Sequence, residues 1–536
     1  MGIYLNSRTP FESYKATIAG VYFVDKTRLI SELLPAFSTE DRYYCITRPR
    51  RFGKSVMANM VGSFLSKGAD ASELFDNLEI SKTRNYQNHR NRHNVFFLDF
   101  SRMPRDCEHY SFYIKRIQDG LNRDLSESYP QTDIDADGAV WDNLFNIFQQ
   151  TGDKFVFIID EWDAIFHKSF ITASDQEKYL DFLRNLLKGQ VYVEFAYMTG
   201  VLPIAKYSSG SELNMFLEYD IATSERFSDY FGFLDSEVDK LYRTYCQTVS
   251  TAKISREDLR TWYDGYHTAA GTQVYNPRSI VCALMNNQLR NYWTSSGPYD
   301  EIFYYIKDNI DEIRNDFVLM ISGERIETKM QEYAATAKEL NTKGQIYSAM
   351  VIYGLLTYEE GEVFIPNKEL MEQYNQLLLS NEHLGYVYRL ARESERMLRA
   401  TLNQDTDTMA EILAYMHNTE SPILAYNNET ELSAVVNLVY LSARDKYRVE
   451  REDKAGKGFV DFIFYPERRN TDAIILELKI DSTPEEAIQQ IKSKEYVLRF
   501  KGKLGENPRY TGKIFAVGIS YSRVSKRHFC KIEILE

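Results

Sequence analysis

Arg48-Pro49-Arg50-Arg51-Phe52-Gly53-Lys54-Ser55 follows the strand-like run Tyr43–Thr47 and precedes Val56, Met57, Met60, Val61, Phe64 and Leu65, apolar residues at helical spacing that stop before Gly68. The order is strand, loop, helix. In a phosphate-binding loop of that build, amides at the helix N-terminus cradle the phosphates, a lysine reaches the outer phosphates and a hydroxyl holds Mg²⁺. Lys54 and Ser55 fit those roles. Arg48, Pro49, Arg50, Arg51, Phe52 and Gly53 complete the candidate nucleotide loop, with ATP and Mg²⁺ as the expected cofactors. Arg48 stands where the general GxxxxGK[ST] pattern has its first glycine, so only the second half of that pattern is matched.

A second run, Phe155–Glu161 (FVFIIDE), is an apolar buried-strand pattern ending in two adjacent acids. Asp160 is expected to hold Mg²⁺ and Glu161 to orient or deprotonate the attacking water. Each motif alone is ordinary surface chemistry; together, in this order on strand ends, they favour a nucleotide site. Val95–Phe100 and Val191–Met198 read as further strands, the latter leading to Thr199, either a γ-phosphate sensor or a plain turn residue. Helical stretches at Ser111–Leu125 and Gln176–Lys188 alternate with them. That alternation predicts a mainly parallel sheet covered on both faces, a RecA-like P-loop ATPase core.

Near the other end, Phe459–Phe464 and Ala473–Ile480 read as strands. Glu477 and Lys479, two apart, project from the same face of an otherwise apolar strand. Burying both charges without a purpose is costly. With Asp461 on the neighbouring strand, Asp461 and Glu477 would converge on Mg²⁺ while Lys479 positions or activates water, chemistry suited to phosphodiester hydrolysis. Gln490, on a helix expected from Pro484 to about Phe500, is placed to face this site. Glu429, at the start of a helical run to Leu441, is a candidate further ligand or orienting group, with Glu431 as the alternative in a shifted register. An exposed edge-strand ion pair is the plain alternative for Glu477 and Lys479. The order helix, Tyr447–Arg451, Phe459–Tyr465, Ala473–Ile480, helix, Ile514–Ile519 reads αβββαβ.

With these residues in hand, the chain resembles the family that joins an AAA-ATPase-like domain to a C-terminal PD-(D/E)XK nuclease domain, found in gut-type anaerobic bacteria. The matching pieces include Tyr22–Thr27, Arg48–Ser55, Ile158–Asp163, Trp262–Tyr266 (WYDGY), Val274–Pro277 (VYNP), Asn428-Glu429, Gly456–Asp461, Glu477–Lys479 and Gln489–Tyr496, and span nearly the whole chain. Arginine at position 48 is usual in this family, and Val460 stands where the nuclease motif is named for proline. The resemblance implies nucleotide binding in front and nucleic-acid cutting behind. The expected fold class is α/β multidomain: a RecA-like P-loop ATPase sheet over residues 1–234, a helical lid or winged-helix-like domain over 235–405, and a C-terminal αβββαβ restriction-endonuclease-like domain over 406–536. Defence against foreign DNA is the setting suggested by analogy with other ATPase–nuclease fusions. An ATP-dependent switch or scaffold that binds without cutting is the alternative, and a DNA motor ranks last for want of helicase-type motifs.

Composition agrees with a large folded chain: 536 residues, 44% hydrophobic and 14% aromatic, support three or so domains with sizeable cores. A net charge of −13 argues against avid non-specific binding to nucleic acid. From Gln490 to Lys531, however, eleven Lys and Arg stand against two Glu, a candidate track for a phosphate backbone, with nucleic acid, DNA first, as the expected partner. Five scattered cysteines without CxxC spacing suggest neither disulfides nor zinc and suit a reducing cytoplasm. The N-terminus lacks a signal pattern and no run approaches eighteen apolar residues, so no membrane association is expected. His89 and His93 lie in a basic stretch without evident acidic partners and read as a solvated loop. Gly354–Thr357 and Glu362–Pro366 flank a turn signal at Glu359–Gly361 and read as a hairpin, and Asn403–Asp407 as a linker. Oligomeric state is left open, a homo-oligomer among the options.

Overall fold

The computed structural model describes residues 2–104, 107–204, 213–293, 310–321, 323–330, 342–380, 386–419, 429–455, 458–466, 470–497 and 512–535. The chain packs as two compact units, one of Met1–Tyr305 with Glu327–Leu370 and one of Ile306–Ile326 with Met371–Glu536.

In the front unit, β1 (Tyr43–Thr47), β2 (Asn94–Asp99), β3 (Phe155–Asp160), β4 (Val193–Gly200) and β5 (Leu217–Tyr219) form one sheet in the order β2-β3-β4-β1-β5. Every pairing is parallel. β1 and β3 are buried along their whole length, which explains why they read as continuous apolar runs rather than alternating ones. β4 lies between them, so the loop after β1 and the acids at the end of β3 open onto the same carboxyl edge of the sheet, two strands apart. α1 (Lys54–Leu65) packs Met60, Val61 and Phe64 on Ile46, Val156, Ile158 and Tyr197. This is a RecA-like P-loop sheet, as the alternation of elements predicts.

The N-terminal segment extends the sheet edge. Asn6 N–H donates to the Val95 carbonyl and Phe97 N–H to that of Tyr4, while the buried Asp124 carboxylate accepts from the amides of Ile3 (3.0 Å), Tyr4 (2.6 Å) and Leu5 (3.0 Å). Removing a charged acceptor shared by three amides costs about 3 kcal/mol. Asp124→Ala is therefore expected to lower hydrogen-exchange protection of Ile3–Leu5 by about 100-fold without changing α1; unchanged protection at Tyr4 and Leu5 would refute the clasp.

His93 is not solvated. It is buried, its Nδ1 lies 2.9 Å from Glu194 on β4, and its Nε2 lies 3.0 Å from His89 Nδ1. The acidic partner comes from a residue 101 positions away, invisible to local reading.

Beyond β5 follow α2 (Asp235–Thr248), α3 (Arg256–Tyr263), the hairpin β6 (Tyr266–His267) with β7 (Gln273–Val274), and α4 (Pro277–Asn286). The predicted hairpin forms as β8 (Thr357–Glu359) with β9 (Glu362–Phe364), turning through Glu360 and Gly361, both left-handed. Helix α5 (Lys368–Ser380) follows.

In the back unit, α6 (Tyr386–Leu402) and α7 (Thr406–Thr419) are joined by the tight turn Asn403–Asp405, the stretch read as a linker. α8 (Glu429–Val439) leads to β10 (Tyr447–Ala455), β11 (Gly458–Pro466), β12 (Ala473–Ile480), α9 (Pro484–Ser493), β13 (Ile514–Ser522) and β14 (Arg527–Ile534). The sheet runs β10-β11-β12-β13-β14, antiparallel except for β12 with β13. The αβββαβ order stands, with β14 as an added edge strand. α9 ends at Ser493, short of Phe500, where Glu495 turns left-handed. Among the described residues no helix is long and apolar enough to cross a membrane.

Candidate functional site

The loop after β1 enters α1 through Gly53, which caps the helix at φ +87°. Arg51 is also left-handed, at φ +72°. A side chain at position 53 would meet no atom within 4 Å, so backbone conformation alone demands glycine there. Lys54 is buried and its Nζ donates to the carbonyls of Arg48 (2.8 Å) and Pro49 (2.9 Å). Burial lowers its pKa, opposed by the charges of Asp163, Glu161 and Asp160.

Asp160 is buried opposite Lys54. Thr199 Oγ1 donates to it at 2.5 Å, the Ser55 hydroxyl also bonds it, and desolvation raises its pKa. Glu161 adopts φ +50° and its carboxyl is raised by burial and by Asp160. Lys54, Ser55 and Glu161 border a cavity of about 660 Å³ lined also by Arg50, Arg51, Phe52, Asp163 and Arg278, a size suited to a small ligand; Asp160 lies behind Ser55 rather than on the cavity wall.

One expected role changes. Arg48 does not line the cavity: it is buried at 1% exposure, donates through Nη1 to the carbonyls of Thr47 (2.8 Å) and Tyr219 (2.7 Å), and lies 5.0 Å over the Phe231 ring. It ties the end of β1 to β5, and burial lowers its pKa to about 10. Thr199, read as a γ-phosphate sensor or a turn residue, has its hydroxyl donating to Asp160. Asp163, three residues past Asp160, was not singled out as a functional residue. Its Oδ2 accepts from the amides of Val201 (2.9 Å) and Leu202 (2.8 Å), pinning the loop after β4 beside the cavity.

The back centre assembles as the strand pattern requires. Phe462 pairs with Leu476 and Ile463 with Ile475, a register that sets Asp461 across from Glu477 and puts Asp461, Glu477 and Lys479 on one face. Asp461 Oδ2 accepts from Leu478 N–H at 2.7 Å. Glu477 is buried; its Oε1 accepts from Lys479 Nζ at 3.2 Å and from the Gln490 amide on α9, and its Oε2 has no partner among the described residues. Burial, then the charge of Asp461, pushes its pKa up to about 7, against the pull of Lys479. Tyr496 is buried close by, with Gln490 as its hydrogen-bond neighbour.

Glu429 heads α8, and its side chain lies outside the described residues. α8 packs on the other face of the sheet, where Arg451 bonds Ser433 and stacks over Phe462. Part of the basic stretch after Gln490 is internally neutralised: Lys492 pairs with Glu533, Lys531 with Glu485 and Glu533, and Arg523 with Asp481.

Residues fit the groups the two centres imply. The left-handed loop, Lys54 and the Ser55–Asp160 pair suit a nucleotide phosphate with its metal. The orphaned Glu477 Oε2 next to Asp461 suits one divalent cation.

Comparisons with known proteins follow the same division. Residues 428–526 match the family model described as PD-(D/E)XK nuclease superfamily. Over its length the chain is similar to the uncharacterized protein in the vnfD 5′ region of Azotobacter chroococcum mcd 1, 23% identical over 531 residues and covering 94% of each chain. Among solved structures it is similar to the Walker-type ATPase PABY2304 of Pyrococcus abyssi at 12% identity, covering 65% of this chain and 94% of that one, with a TM-score of 0.35. It is also similar to the ORC2 protein of Aeropyrum pernix, at 10% identity, 70% and 96% coverage and a TM-score of 0.25. The fold assignment rests on the strand order above and not on these two likenesses. Residues 11–209 match the model described as predicted AAA-ATPase, so the chain carries an AAA-ATPase-like domain followed by a domain of the PD-(D/E)XK nuclease superfamily.

Proposed function

We propose that this protein binds and hydrolyses ATP and that its nucleotide state controls a Mg²⁺-dependent phosphodiesterase acting on nucleic acid, DNA first. The observation that carries the reading is Glu477. Its carboxylate is buried across from Asp461, one oxygen held by Lys479 and Gln490 and the other left bare, an arrangement that costs stability unless a cation completes it.

In front, Lys54 would exchange the Arg48 and Pro49 carbonyls for phosphate oxygens, Ser55 and Asp160 would hold the metal, and Glu161 would orient or deprotonate the attacking water. Behind, Leu478 N–H fixes Asp461 and Gln490 fixes Glu477, so both carboxylates are aimed before any ligand arrives. A divalent cation held by them would polarise the scissile phosphate and acidify bound water. Lys479, whose Nζ is 3.2 Å from Glu477, would position the attacking water and steady the developing charge.

The carboxylate must ionise to bind metal. Its folded pKa near 7 lies above the ordinary 4.5, so folding favours the protonated form; the stability this gives is present below 4.5 and lost as pH rises through 7. Mn²⁺ affinity is therefore expected to fall about tenfold per pH unit below neutrality and to level off above it. Calorimetric titration between about pH 6 and about pH 8 checks this, and an affinity flat across that range rules it out.

Function is tested by incubating the full chain with Mn²⁺ or Mg²⁺, with and without ATP, on plasmid, single-stranded DNA and RNA. Cleavage supports the reading. Intact substrates throughout, with ATP still hydrolysed, assign the protein to an ATP-dependent switch that binds without cutting.

A further inference from the structure

Pro49, Arg51 and Phe52, at positions the general phosphate-binding pattern leaves unrestricted, have a second surface to touch. Phe52 is buried, its ring meeting Tyr266 edge-on at 5.0 Å. Pro49 packs on Gly354, where a Cβ would lie 2.6 Å from Pro49 Cβ. Arg51 donates to the carbonyl of Tyr292. Three consecutive features of the nucleotide loop are thus seated on the module built from Trp262–Tyr266, Val274–Pro277 and the segments that follow.

That module converges on Glu369. Its carboxylate is fully buried and accepts from the amides of Tyr292 (2.7 Å) and Trp293 (2.9 Å) and from Ser279 Oγ (2.8 Å). Ser279 belongs to α4, whose Pro277, Arg278 and Val281 line the nucleotide cavity. Tyr292, the residue Arg51 holds, is also a residue Glu369 holds. Glu369 sits in the first turn of α5, which Asn367 starts by accepting from Leu370 N–H (3.1 Å) while donating to the Asp264 carbonyl (2.9 Å) in the WYDGY motif. The chain leaves the front unit for the last time inside this helix, between Leu370 and Met371.

We infer that Glu369 is the positioning residue that transmits occupancy of the nucleotide cavity, through Ser279 and the Arg51-held turn Tyr292-Trp293, to α5, the helix by which the chain passes into the nuclease-bearing unit. This rests on the nucleotide-site reading above and assigns the regulation of that site. Movement of the loop or of α4 on binding ATP must either carry Glu369 along or leave a fully buried carboxylate short of donors, which is the costly outcome. Alternation between two fully bonded arrangements is how such a contact passes a state onward.

The test compares wild type, Glu369→Gln and Ser279→Ala as full-length proteins, each with ATP affinity measured by calorimetry and with hydrogen exchange followed with and without ATP and Mg²⁺. In wild type, ATP is expected to change exchange at Tyr292, Trp293 and Leu370–Gln376 by at least about tenfold. Both variants are expected to bind ATP within about threefold of wild type yet lose most of the change in α5. Ser279→Ala removes one donor from an otherwise intact network and keeps the test alive should Glu369→Gln fail to fold. Variants that bind ATP and respond in α5 as wild type does overturn the relay alone. Failure of wild type to bind ATP overturns the nucleotide reading and the relay with it.

Discussion

Asp461→Asn is expected to lower the cleavage rate at least about 10³-fold, roughly 4 kcal/mol, while leaving ATP hydrolysis unchanged. Asparagine is isosteric and can still accept from Leu478 N–H, which Asp461 does at 2.7 Å, so the strand pairing and the fold survive. What is lost is a negative charge across from Glu477. Two effects follow with opposite consequences for that neighbour. The Asp461 charge helps raise the Glu477 pKa, so its removal lets Glu477 ionise more readily. A cation, however, then meets one carboxylate where it would have met two, and affinity and charge stabilisation both fall. The second effect dominates when rates are compared at about pH 8, a unit above the Glu477 pKa, where that carboxyl is largely ionised in either protein. Initial rates of plasmid nicking in Mn²⁺, beside ATPase rates from the same preparation, measure it; a decrease of less than about tenfold would remove Asp461 from the cleavage centre.

Lys54→Ala is expected to reduce kcat/KM for ATP hydrolysis by about 10²- to 10³-fold. Lys54 is the buried cation that Asp160, Glu161 and Asp163 surround, and its Nζ already sits on the loop's own carbonyls, where phosphate oxygens would compete for it. Removal strips the site of the charge that faces those acids and raises the pKa values of Asp160 and Glu161 further, so Asp160 becomes a poorer metal ligand and Glu161 a weaker electrostatic partner. Steady-state ATPase kinetics report the effect, and α1 amide protection controls for folding. A variant within about tenfold of wild type would show that phosphate is bound elsewhere.

Both centres were visible because each is written in contiguous residues: Gly53-Lys54-Ser55, Asp160-Glu161 and Glu477 with Lys479 each need only a strand end or a period of two to be oriented. Ala473–Ile480 reads as a strand at the limits the structure shows, since apolar residues fill it and turn residues bound it. Long-range partners were not visible. His93 finds Glu194 on β4, Asp124 finds the N-terminal amides, and Glu369 finds Ser279, all across large sequence separations. Arg48 misled because a basic residue in a phosphate loop suggests a phosphate ligand, whereas the Tyr219 carbonyl and the Phe231 ring take it into the core. Short or mixed strands also escaped. β5 is three residues long, and β14 has an exposed or half-buried surface along most of its length. Asp163 carried a signal that was there to be used, a third acid at fixed spacing after Asp160-Glu161.

The coupling of the two centres is tested most directly by the initial rate of plasmid cleavage in Mn²⁺ with and without ATP, wild type beside Lys54→Ala. ATP is predicted to change the wild-type rate by at least about tenfold and to leave the Lys54→Ala rate where it stands without nucleotide. Equal wild-type rates with and without ATP would contradict nucleotide control, even with cleavage itself intact.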